Sequence, residues 1–169
     1  MRAALLTHLD SHWATRLGCD PATLRNQNIN ILLDPNRANA EVWLFDKTCV
    51  MLAAPHLAQA LRASVGTRAP VVAFEPGRLK DAVSFFGLDL HAPEAIMALD
   101  CPDLGSKPIA WIPINENGAE LQAGLRAVAN SAIPLVAVPL KMRPARRAAE
   151  ACGFVLYALV IYIGGKPKL

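Results

Sequence analysis

The 169-residue chain is poor in the features that most readily announce a function. Its four cysteines, Cys19, Cys49, Cys101 and Cys152, form no C-x-x-C pair. That excludes the common zinc-ribbon and dithiol motifs and leaves reduced, buried thiols as the expectation. Charge is sparse, at 18% of residues with a formal net charge of +3, and no basic stripe is interleaved with aromatics, so a dedicated nucleic-acid binder is not expected. The longest apolar run, Phe154 to Ile163, is ten residues, too short to cross a bilayer as a helix. At the N-terminus, Thr7, His8 and Asp10 interrupt the apolar residues that follow Arg2, so no signal peptide is expected and the cytoplasm is the expected location. No internal repeat or low-complexity tract is present. The chain does have apolar residues, 53% of the total, enough to bury a substantial core in one domain or two small lobes.

Periodicity divides the chain into short elements. Leu5, Leu9, Trp13 and Leu17 recur every four residues and predict an amphipathic helix over 2–17, closed by Gly18. Asp20-Pro21 reads as the N-cap and first residue of a short helix. Asn28 to Leu33 reads as a strand and residues 34–39 as a surface loop. Glu41 to Phe45 and Thr48 to Ala53 predict a hairpin about Asp46-Lys47, whose turn lacks glycine. Helices are expected over Pro55 to Val65 and Pro76 to Phe86, the latter ended by Gly87. Pro70 to Phe74 reads as extended, and Pro93 to Leu99 as a short helix or a loop. Asp103 to Pro108 is the linker candidate, dividing an N-terminal lobe, 1–103, from a C-terminal lobe, 108–169. The second lobe reads as a strand from Ile109 to Ile114, a helix from Glu116 to Asn130, and a closing β-α-β unit. Its last strand is apolar on both faces, the pattern of an interior strand. Either the N-terminal hairpin joins its sheet or a second copy of the chain does, and homodimerisation is expected on that argument.

Few residues suggest chemistry directly. Lys141, Arg143, Arg146 and Arg147 cluster at a helix start, where positive charge opposes the helix dipole. Guanidinium forks beside free N–H groups would suit a small anionic ligand. Asn115 and Glu116 lie at a strand-to-helix junction, where α/β proteins gather ligands, although an N-cap role for Asn115 or Asn117 is simpler. His8 and His12 have the i, i+4 spacing of a metal grip but no evident third ligand, so no metal site is expected. Cys19, just before a helix start, is the cysteine best placed for a lowered thiol pKa, with burial as its default reading. Ser64 lacks the first glycine of a nucleophile elbow. Trp43, Phe45 and Trp111 lie on strands and read as core. No catalytic residue is identified.

Two stretches resemble the GNAT superfamily of acyl-CoA-dependent N-acetyltransferases. The first is Leu9 to Leu24, with His12-Trp13-Ala14 and Leu17-Gly18-Cys19-Asp20-Pro21, followed by the hairpin and helix of residues 41–62; it is similar to the N-terminal lobe of some bacterial GNAT-like proteins. The second is the closing segment, where Ala145 and Gly153-Phe154 match. The family usually has Asn where Met142 stands and a proton-donating Tyr where Ala149 stands. Its pyrophosphate loop needs Gln/Arg-x-x-Gly-x-Gly/Ala, and the nearest frame, Arg143-Pro-Ala-Arg-Arg-Ala148, puts Arg146 at the essential glycine.

The resemblance implies an α/β fold: a GNAT-like mixed sheet flanked by helices and shortened relative to a full acetyltransferase. It also implies a degenerate member without acetyl-CoA chemistry or any cofactor, acting as a small-ligand-binding or accessory protein or carrying repurposed chemistry. One alternative is an active N-acetyltransferase for a small amine, with Arg143, Arg146 and Arg147 gripping acetyl-CoA or another acyl-CoA. Another is a dimeric structural or interaction module.

Overall fold

A computed structural model describes residues 1–100, 107–115, 119–128 and 130–164. The fold is mixed α/β: the described residues form seven strands in an open sheet, numbered in chain order and arranged β1-β3-β2-β7-β4-β6-β5, with six α-helices. The contacts divide the chain into two units, residues 10–93 with 159–168, and residues 1–9 with 94–158. Their division falls inside the first helix and the last strand, whereas the expected linker at Asp103 to Pro108 lies largely outside the described residues.

In the first unit, helix α1 (Ala3–Leu17) ends where Gly18 turns to φ +70°. The Gly18 and Cys19 amides then bond the carbonyls of Thr15 and Ala14, a Schellman close whose left-handed residue is strained for anything with a side chain. Asp20 caps the following 3-10 turn, Pro21–Arg25, by accepting from the Ala22 amide. Strand β1 (Ile29–Leu33) runs parallel to β3 (Thr48–Ala53), and β3 pairs antiparallel with β2 (Ala40–Phe45). The tight turn between them works without glycine because Asp46 takes the left-handed conformation, φ +52°, that Asp tolerates better than most residues.

Strand β2 also pairs antiparallel with the C-terminal half of β7 (Phe154–Ile163), from Ala40 opposite Ile163 to Leu44 opposite Leu159. The hairpin of the same chain therefore supplies the neighbour that the interior strand required. Alternation along β2 sends Val42 and Leu44 to one face, into a cluster with Met51, Ile161 and the apolar sides of α2 (Pro55–Val65) and α4 (Pro76–Val83). Glu41, Trp43 and Phe45 point to the other face, where Trp43 packs on Trp13 of α1 with ring centroids 4.4 Å apart.

In the second unit, β4 (Glu94–Leu99) pairs antiparallel with β6 (Ile133–Pro139), and β5 (Ile109–Trp111) runs parallel to β6. Helix α5 (Ala119–Val128) precedes β6, and α6 (Arg143–Ala151) joins it to β7.

Two expectations are corrected. Pro70–Ala73 is a single helical turn, α3, not an extended segment: Val72 and Ala73 both donate to the Ala69 carbonyl, and Pro70 occupies the first helical position. Val-Val favours strands, but that preference is weak beside the local hydrogen bonds of a four-residue connector. Residues 94–99 form a strand although Glu, Ala, Met and Leu favour helices. Ala95 to Ala98 are buried on both faces, and β6 satisfies their backbone, so pairing overrides propensity. Strand β5 is also shorter than expected; the helix expected from Glu116 to Asn130 is seen as α5, and residues 116–118 and 129 lie outside the described residues.

Two helical glycines, one in each unit, contrast sharply in their packing. A Cβ at Gly124 would lie 2.3 Å from Ile112 Cγ2, whereas one at Gly77 in α4 would meet open space. Gly124→Ala is therefore expected to destabilise the fold by about 1–3 kcal/mol through overpacking, and Gly77→Ala to stabilise it by about 0.5 kcal/mol. Urea denaturation of both variants checks this, and equal shifts of the same sign would contradict it.

Candidate functional site

The basic cluster picked out by the sequence sits on α6 as expected. Ala145 and Ala149 bury one side of the helix; Arg143 and Arg147, one turn apart, are exposed. Arg146 is half-exposed and pairs with Glu150 one turn on, at 3.3 Å. The N-cap residue, Met142, offers no side-chain cap, and Pro144 has no N–H to give. Ala149, where the resemblance calls for a proton-donating Tyr, is wholly buried. Gly153 is needed for its φ of +89° at the end of α6, so the Gly-Phe match has a sufficient conformational cause. Asn115 is partly buried beyond β5, and Glu116 lies outside the described residues.

A second arrangement, in the first unit, was not singled out by sequence reasoning. Glu41 on β2 is fully buried. Its Oε1 accepts from Arg37 Nη1 at 2.7 Å and from Arg16 Nη2 at 3.4 Å, while its Oε2 accepts from Trp43 Nε1 at 2.9 Å. Arg37 also donates through Nε to Asp34 Oδ2 at 3.1 Å. Two guanidinium groups and two carboxylates thus form one charge-balanced network.

The Arg16 guanidinium is seated over the rings of Trp13 and Trp43, 4.6 and 5.5 Å from their centroids. Nη2 alone of its three nitrogens has a hydrogen-bond acceptor among the described residues, and Nη1 is buried without one. Nearby, Asp10 and Arg25 form a two-pronged pair, at 2.9 and 2.6 Å, that ties α1 to the 3-10 turn.

Beside this network opens a cavity of about 280 Å³, lined by the end of α1 (Thr15 to Gly18), by Leu32 to Pro35 and by Leu52. It lies at the carboxyl end of the parallel β1–β3 pair, the end at which α/β sheets gather ligands. Arg16 and Asp34 are its charged members, and Leu33, more than half exposed, is an apolar residue left facing solvent at its rim. The sequence held one signal for this site. Glu41 is a charge inside an apolar strand, two residues from Trp43 and therefore on the same face, with Arg37 shortly before it. Arg16 gave no such signal, because its charge partner, Glu41, comes from the strand and not from its own helix.

The other candidates assemble no chemistry. His12 packs edge-on against Trp13, and no cluster of three His, Cys, Asp or Glu residues able to hold a metal occurs among the described residues. Burial pushes the Cys49 thiol up to about 12, so it stays protonated. The Cys19 thiol pKa is not lowered: burial, its default reading, and then the carboxylate of adjacent Asp20 raise it. No described helix is long and apolar enough to cross a membrane.

No protein family, curated protein or solved structure matches the chain. The class defined by the fold is therefore a mixed α/β protein, and function rests on the site itself.

Removing one partner from a buried charge network leaves the others uncompensated. Glu41→Gln is expected to lower stability by about 3 kcal/mol, and Asp34→Asn, a third exposed, by about 1 kcal/mol or less. Urea midpoints give the comparison, and a Glu41→Gln loss no larger than that of Asp34→Asn would contradict the account.

Proposed function

We propose that the protein binds a small ligand, that it derives from a GNAT-like fold without using acetyl-CoA, and that its ligand seat is the cavity beside Arg16. The observation that carries this reading is the fully buried Glu41 that holds Arg16, a lining residue of that cavity. A buried ion network contributes little stability over an apolar core of the same volume. Such exceptions to local packing rules tend to occur where a side chain must be held for another purpose. Here the held side chain is Arg16, gripped by Glu41 from one direction and by two indole rings from another. The catalytic losses inferred from the resemblance agree with a binding role, since Arg146 stands at the loop glycine and Ala149 at the acid.

A second reading keeps acyl-CoA at the start of α6. It is favoured by the exposure of Arg143 and Arg147 on one helical face, with phosphate groups as their partners. It is weakened by Pro144 and by the engagement of Arg146 with Glu150.

Calorimetric titration with acetyl-CoA separates the two. The expected result is no saturable heat at micromolar concentrations. Micromolar binding that disappears in the double variant Arg146→Glu, Arg147→Glu would overturn the first reading in favour of the second.

A further inference from the structure

Resting on the reading of that cavity as a ligand seat, we infer that its ligand is a free α-amino acid with an aliphatic side chain. Three groups of opposite preference meet there. Arg16 lines the cavity and brings a fixed positive charge, which favours a carboxylate. Asp34 offers a carboxylate, whose oxygens already accept from the Asn36 amide and Arg37 Nε but have further acceptor capacity. The C-terminus of α1 supplies the third. The Schellman close satisfies the carbonyls of Ala14 and Thr15, while those of Arg16 and Leu17, both residues of the cavity lining, accept no hydrogen bond among the described residues. Unpaired carbonyls at the negative end of a fifteen-residue helix favour an ammonium group and disfavour a lone anion.

A simple anion would therefore meet Arg16 but also Asp34 and the helix end, both repulsive. A simple amine would meet the reverse. A zwitterion, with its two charges on one carbon, answers both. The remaining walls are Leu17, Leu32, Leu33, Leu52 and Pro35, which suit an aliphatic side chain and would remove exposed Leu33 from water. The volume, about 280 Å³, lies just below the range that holds drug-sized molecules and suits a metabolite of amino-acid size.

The test follows the backbone amide resonances of Gly18 and Leu33 in the full chain during titration with L-leucine, with its carboxamide (no carboxylate) and with 4-methylpentanoate (no amine). A panel of sugars, nucleosides and dicarboxylates is titrated in parallel. L-Leucine is expected to move both resonances saturably, and each analogue to bind at least tenfold more weakly. Asp34→Asn should weaken L-leucine several-fold. Leu33→Asp, at an exposed position that leaves the fold intact, should abolish the effect. Binding of 4-methylpentanoate as tight as that of L-leucine would overturn the zwitterion. Movement caused only by members of the panel would overturn the amino-acid class while leaving the seat in place. Resonances that no compound moves would overturn both.

Discussion

The constraint on which the first unit depends is the burial of one carboxylate. Glu41 lies in the middle of an apolar face, and water cannot reach it. A carboxylate there is tolerable only if its oxygens are fully engaged, and three donors from three segments engage them: Arg37 from the loop before β2, Arg16 from α1 and the Trp43 indole from the same strand. Each donor is fixed in turn. Asp34 holds Arg37, the two indole rings hold Arg16, and Trp13 and Tyr162 pack about Trp43. The position of α1, the path of the loop from β1 to β2 and the orientation of the aromatic face are thus linked through one residue.

The same constraint explains why the cavity has the chemistry it has. Its polar side is made of groups already anchored from behind, so they present a fixed surface instead of collapsing onto each other. Pre-organisation of this kind reduces the ordering that a ligand must impose on binding. The apolar side comes from strand ends, where alternation has run out and a leucine, Leu33, is left at the rim. On α6, by contrast, Ala145 and Ala149 are buried, but Arg143 and Arg147 are exposed and form no ion pair among the described residues.

Most of the architecture was legible in the sequence because it is written in local periodicity. The four-residue spacing of Leu5, Leu9, Trp13 and Leu17, the Asp20-Pro21 cap, the hairpin around Asp46 and the closing β-α-β unit all lie close to where those patterns put them. The misread segments are those where distant pairing or a short connector decided the outcome, as at 94–99 and 70–73. The site was legible only in part. A charged residue in an apolar strand is visible from the sequence, but the 25-residue separation between Arg16 and Glu41 is closed only by the packing of α1 on the sheet. The basic start of α6 was visible because its residues are contiguous, and contiguity says nothing of whether other elements converge on them.

Glu41 and Arg16 act as one unit, the first holding the second in place. A double-mutant cycle on urea-denaturation free energies, with Glu41→Gln, Arg16→Met and the double variant, measures this directly. The expected coupling is about 1–3 kcal/mol, with the double variant more stable than the sum of the single losses implies. Losses that add to within about 0.5 kcal/mol would show two independent side chains and would contradict it.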